Sequence, residues 1–72
     1  MTEKIIKLIE EILQVPAGTV TKDTVIADVE KWDSLAHVMI IGALEEKLSV
    51  SIPLDEAVEL TSVAEILEKA ER

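Results

Sequence analysis

Ser34 is followed one helical turn later by the chain's single histidine, His37, and this is the closest approach to a nucleophile and base in the 72-residue sequence. Asp33 precedes the serine. A hydrolase built on Ser34 and His37 would still lack a third group, an oxyanion cradle and a pocket able to surround a substrate. The 15 Asp and Glu residues are scattered along helical faces, where a solvated surface is their usual meaning. Zero cysteines remove disulfides, thiolate metal sites and a thiol nucleophile, and one histidine cannot build a His-rich zinc site. Gly18 and Gly42 are isolated, so neither a phosphate-cradling glycine loop nor an EF-hand spacing is present.

A serine at a loop–helix junction has two physical readings. The plainer one is an N-cap, which is common and by physics alone accounts for the position. The other is a site for a covalently attached phosphate group. Unpaired amides and the positive end of the helix dipole favour a phosphodiester there, and an exposed junction lets another enzyme reach the hydroxyl.

The elements around this junction read as helices. Ile5, Leu8, Ile9, Ile12 and Leu13 recur at helical spacing over about residues 2–14, with Glu3, Lys4, Lys7, Glu10 and Glu11 on the other face. Thr2 is read as the N-cap, and Pro16 ends the helix. Residues 16–33 lack a period and form a long connection; Val20, Val25, Ile26 and Val29 are expected to pin it onto the core. The strongest helix spans 34–48, with Leu35, Val38, Ile41, Leu44 and Leu48 as its stripe and Ile40 widening it. Asp33 and Ser34 stand at its N-cap, and Met39 is expected to face outward. Residues 49–53 alternate polar and apolar but are too short for an independent sheet. Pro53 opens a further turn with Asp55 and Glu56 in its first positions, and Ser62 with Glu65 forms a capping box for a last helix through Val63, Ile66, Leu67 and Ala70. Gly42 weakens a helix interior, which admits close approach of a partner or of another helix. The expected fold is all-α, a small four-helix bundle of three longer helices and one short one, with a long loop between the first and second, in a single domain over 1–72.

Composition bounds the function. Net charge −8 argues against nucleic acid and anionic membrane surfaces. No signal-peptide layout and no apolar run near 18 residues appears, so a cytoplasmic location without membrane insertion is expected. At this size one core supplies only about 3–5 kcal/mol net.

Around Ser34 the chain resembles the acyl and peptidyl carrier proteins. Asp33-Ser34-Leu35 matches the family's Asp-Ser-Leu attachment motif. The helix ending at Gln14, the long loop, Ala43-Leu44-Glu45-Glu46-Lys47-Leu48, Ile52-Pro53 and Thr61-Ser62-Val63 fit its order of elements. The resemblance implies that Ser34 receives 4′-phosphopantetheine from coenzyme A through a separate magnesium-dependent phosphopantetheinyl transferase. It implies no catalysis by the chain itself. The arm's thiol would carry an acyl or aminoacyl group as a thioester, loaded by a ligase and passed to downstream synthase or transferase enzymes in fatty-acid-like, polyketide or nonribosomal-peptide-type biosynthesis. Asp33, Leu35, Val38 and Met39 would form the docking surface of a monomer, and Trp32 would shield the junction.

Two departures matter. The Gly-x-Asp-Ser-Leu context of fatty-acid-synthesis carriers is here Lys31-Trp32-Asp33-Ser34-Leu35, and the helix has no carboxylate before Glu45. Recognition on this face is therefore expected to be more apolar, as in a specialised stand-alone carrier or a peptidyl-carrier-like one loaded by an adenylating ligase. The competing reading is an unmodified acidic helical adaptor that binds a basic protein, which net charge −8 fits equally well.

Overall fold

The computed structural model describes residues 2–71. Four α-helices follow in order: α1 (Thr2–Leu13), α2 (Ser34–Leu48), α3 (Leu54–Ala57) and α4 (Val63–Ala70), with a 3₁₀ turn at Ile26–Asp28 in the long loop. α1 packs against α2 and α4. Ile5, Ile9, Ile40, Leu44, Val63 and Ile66 are wholly enclosed and make the centre of the core. The fold is the all-α bundle that the helical periodicities predict, with three longer helices and one short one among the described residues.

α1 ends one residue earlier than expected, for a geometric reason. Gln14 takes a left-handed conformation at φ 57°, and the Gln14 and Val15 amides donate back to the Glu11 and Glu10 carbonyls. That pair of bonds is a Schellman cap, with Pro16 just beyond it. Thr2 is the first helical residue rather than the cap, and its hydroxyl donates to Glu71 at 3.1 Å, joining the start of α1 to the end of α4.

The long loop is pinned, by a different device than its aliphatics alone. Val20 is buried, and Ile26 and Val29 pack on the core, but Val25 is 42% exposed. The backbone around Val25 does the anchoring instead. Ile26 N–H donates to the Thr61 carbonyl at 2.9 Å and Val63 N–H to the Thr24 carbonyl at 3.0 Å, forming an isolated antiparallel bridge at the entrance to α4. A second anchor is Glu10, placed on the solvated face by periodicity but buried in the structure. Its Oε2 accepts from the Gly18 amide at 2.8 Å and the Val20 amide at 3.1 Å. Gly18 turns the chain there at φ +92°, a conformation a side chain would strain.

The alternation at 49–53 has a simple outcome. Val50 and Ile52 both enter the core, and Ser49 in left-handed conformation closes α2. Glu56 and Lys69 pair at 2.8 Å, tying α3 to α4. At the start of α4, Ser62 Oγ accepts from the Glu65 amide as a capping box requires. Glu65 reaches back one residue further than the usual box, accepting from the Thr61 amide at 2.7 Å and hydroxyl at 2.6 Å. These bonds hold the Glu65 carboxyl below its ordinary 4.5, the Thr61 hydroxyl contributing most.

Candidate functional site

The loop delivers Ser34 to the first position of α2. Trp32 is buried and its amide donates to the Val29 carbonyl, so the loop turns inward just before the helix begins. Asp33 then caps α2, its Oδ1 accepting from the Ala36 amide at 2.8 Å. The cap is therefore an aspartate and not the serine. Because Asp33 takes that role, the hydroxyl of exposed Ser34 stays uncommitted at the positive end of a 15-residue helix. The first amides of α2 have no intrahelical acceptor.

His37 is not poised to activate Ser34. The indole N–H of Trp32 donates to His37 Nδ1 at 3.0 Å, and His37 Nε2 lies 2.7 Å from the Ala57 carbonyl. An indole nitrogen can only donate, so Nδ1 is the acceptor and Nε2 carries the proton that the Ala57 carbonyl receives. Both nitrogens of this neutral tautomer are thus engaged away from Ser34, and the serine–histidine pair is not assembled.

Beside Ser34 lies a groove of about 290 Å³, lined by Ile26, Trp32, Asp33, His37, Val38, Val58 and Leu60. It falls just below the range of small-molecule sites. A larger hollow of about 520 Å³ follows the loop from Val15 to Lys31 and contains none of Ser34, His37 or Val38. It is a furrow of the loop that does not include the junction residues.

The docking residues expected from the sequence separate into two groups. Asp33 and Val38 line the groove with Ser34, whereas Leu35 and Met39 do not. Leu35 is 70% exposed, Val38 54% and Met39 52%. The core stripe of α2 is accordingly corrected: Ile40, Ile41 and Leu44 are buried, while Leu35 and Val38 point outward with Met39. Leu54 on α3 and Val58 just after it are also exposed. Gly42 faces solvent, and a β-carbon there would meet nothing within 4 Å, so no helix of this fold needs the glycine for close approach. Val58, Leu60, the groove-lining role of Ile26 and the bonding role of His37 leave no signal in the sequence reading. The Trp32–His37 and His37–Ala57 links span 5 and 20 residues, and the second ends on a backbone carbonyl, which no side-chain pattern announces.

A capped helix bearing a free serine at its start, fed by a long anchored loop and flanked by a one-turn helix, is the architecture of a carrier domain. The solution NMR structure of holo acyl carrier protein from Geobacter metallireducens has this fold: it superposes with TM-score 0.84 at 21% identity, covering 97% of this chain and 80% of that one. Residues 3–69 match the family described as phosphopantetheine attachment site, and the chain belongs to that family. It is a carrier protein whose cofactor is covalently attached 4′-phosphopantetheine.

Proposed function

We propose that Ser34 is the residue that carries 4′-phosphopantetheine, joined through its hydroxyl oxygen as a phosphodiester. The observation that supports this most is the division of labour at the junction: Asp33 makes the cap, and Ser34, exposed at the first position of α2, keeps its hydroxyl free. The residues fit the group. The Ser34 and Leu35 amides, which have no intrahelical acceptor, and the dipole of α2 favour the phosphodiester anion, and the apolar groove beside it offers the arm a place to lie. The arm supplies the thiol that the cysteine-free chain lacks. The chain's own residues position and present the cargo and do not make its bonds, so the protein is not itself an enzyme.

On this reading a phosphopantetheinyl transferase installs the arm, a ligase loads an acyl or aminoacyl group as a thioester, and downstream synthases or transferases of fatty-acid-like, polyketide or nonribosomal-peptide-type biosynthesis receive it. Asp33, exposed next to Ser34, meets the transferase. Leu35, Val38 and Met39 give the partners an apolar face, since α2 carries no carboxylate between Ser34 and Glu45. The protein works as a monomer in the cytoplasm; net charge −8 favours repulsion between copies.

Intact mass after incubation with coenzyme A, magnesium and a broad-specificity transferase tests the assignment. Wild type gains one phosphopantetheine and Ser34→Ala gains none. Equal gain in both refutes Ser34, and no gain in folded wild type, with another carrier labelled in parallel, favours the acidic adaptor.

A further inference from the structure

α3 is one turn of four residues, too short to hold its shape alone. The segment that leaves it nevertheless lines the groove beside Ser34, through Val58 and Leu60. The buried Ala57 side chain and the Glu56–Lys69 pair fix its base. On the groove side, its polar tie is the 2.7 Å bond from His37 to the Ala57 carbonyl. The other nitrogen of the same imidazole holds the Trp32 indole, 3.0 Å away, on the loop side. The two rings lie 6.1 Å apart at a 36° tilt, so they are joined edge-on by the hydrogen bond rather than stacked.

We propose that His37 is a positioning residue for the carried group: by bridging Trp32 and Ala57 it fixes the separation of the groove walls and so limits the length of acyl chain sheltered beside Ser34. The proposal rests on Ser34 bearing the arm. His37, itself part of the lining, acts by holding Trp32 and the Ala57 carbonyl in place. It does not touch the reacting thioester.

Wild type, His37→Leu and His37→Gln are compared, since a glutamine amide can accept from Trp32 and donate to Ala57 as the imidazole does. Amide exchange is measured on the unloaded proteins. In His37→Leu the Val58 and Leu60 amides, which bond to Leu54 and Ala57, exchange about fivefold faster relative to those of α1, the factor one net hydrogen bond supplies. His37→Gln restores the wild-type rates.

The three proteins are then loaded with acetyl to octanoyl pantetheine, and thioester cleavage by hydroxylamine is timed. In wild type, protection stops increasing at a short chain; in His37→Leu that limit moves to longer chains, and His37→Gln brings it back. A purely structural histidine would lower the melting temperature and leave the limit where it was. The same limit in all three overturns the proposal. Should His37→Leu not fold, Trp32→Phe, which removes the indole bond together with part of a buried ring, must move the limit in the same direction. Absence of loading in wild type overturns the attachment at Ser34 and the cargo role with it, while the exchange rates of the unloaded proteins still decide whether His37 clamps the walls.

Discussion

Replacing Glu10 with alanine tests how the long loop is held. Glu10 is 7% exposed and one carboxylate oxygen accepts two backbone amides, from Gly18 at 2.8 Å and Val20 at 3.1 Å. Hydrogen bonds to charged groups contribute about 1.5–3 kcal/mol each. Sharing one oxygen and exposing the loop edge to water in the variant bring the expected loss to about 2–3 kcal/mol for the pair. A 72-residue protein has a total stability of roughly 4–11 kcal/mol. With a urea dependence of about 1 kcal/mol per M, the unfolding midpoint of Glu10→Ala should fall by about 2–3 M. In thermal unfolding the drop is roughly 10–20 °C. Glu10→Gln keeps an oxygen acceptor without the charge and should lose about half as much, since charge-assisted bonds are about twice as strong as neutral ones. Removing a negative charge from a chain of net charge −8 works in the opposite direction, so the comparison belongs at 0.15 M salt, where that repulsion is screened. Circular dichroism under urea gives the midpoints, and amide exchange shows whether Gly18 and Val20 open first. A Glu10→Ala midpoint within 0.5 M of wild type would refute the account of the loop as tied down by a buried carboxylate.

Three further outcomes follow from particular positions. Gly42→Ala should raise the melting temperature by roughly 4–8 °C, because the new β-carbon meets no atom within 4 Å and the helix interior gains about 1 kcal/mol; an unchanged or lower value would show that the glycine has a role in the free fold. Glu65 is held below its ordinary 4.5 by Thr61, so its contribution is complete above that value and is lost as pH falls through the lower folded value. The melting-temperature gap between wild type and Glu65→Gln, measured from pH 6 downward, should therefore narrow below about pH 4.5, and a constant gap to pH 3 would exclude the Thr61 bonds as its source. Added sodium chloride should raise the melting temperature, since 15 acids face 7 bases; a flat response would dismiss charge repulsion as a destabilising force.

The parts of the fold legible in the sequence are those set by neighbours a few residues apart. Periodicity located α1 and α4, Pro16 and Pro53 punctuated the chain where it turns, and Ser62 with Glu65 announced the start of α4. The attachment motif was equally local. Contacts between distant positions left no such trace. Glu10 reads as a surface acid because its partners are backbone amides 8 and 10 residues away, presented by a turn at Gly18. His37 reads as a lone polar residue for the same reason. Its acceptor is a main-chain carbonyl on α3, and carbonyls are identical at every position.

The misreading of α2 is more informative, because the helix is apolar nearly all round. Leu35, Val38, Ile40, Ile41 and Leu44 offer two overlapping stripes of similar quality, and hydrophobicity alone cannot choose between them. The capping geometry and the loop choose. With Asp33 bonded to the Ala36 amide and Trp32 turned inward, the helix is rotated so that His37, Ile40, Ile41 and Leu44 face the fold, leaving Leu35, Val38 and Met39 to water. A helix selected for stability alone would carry charges at those three exposed positions, as α1 does at Glu3, Lys4 and Lys7. Keeping them apolar at the end that bears Ser34, while Glu45, Glu46 and Lys47 occupy the exposed face of the other end, concentrates the exposed apolar surface of α2 beside Ser34, a pattern that supports the proposed docking of partner enzymes on this face.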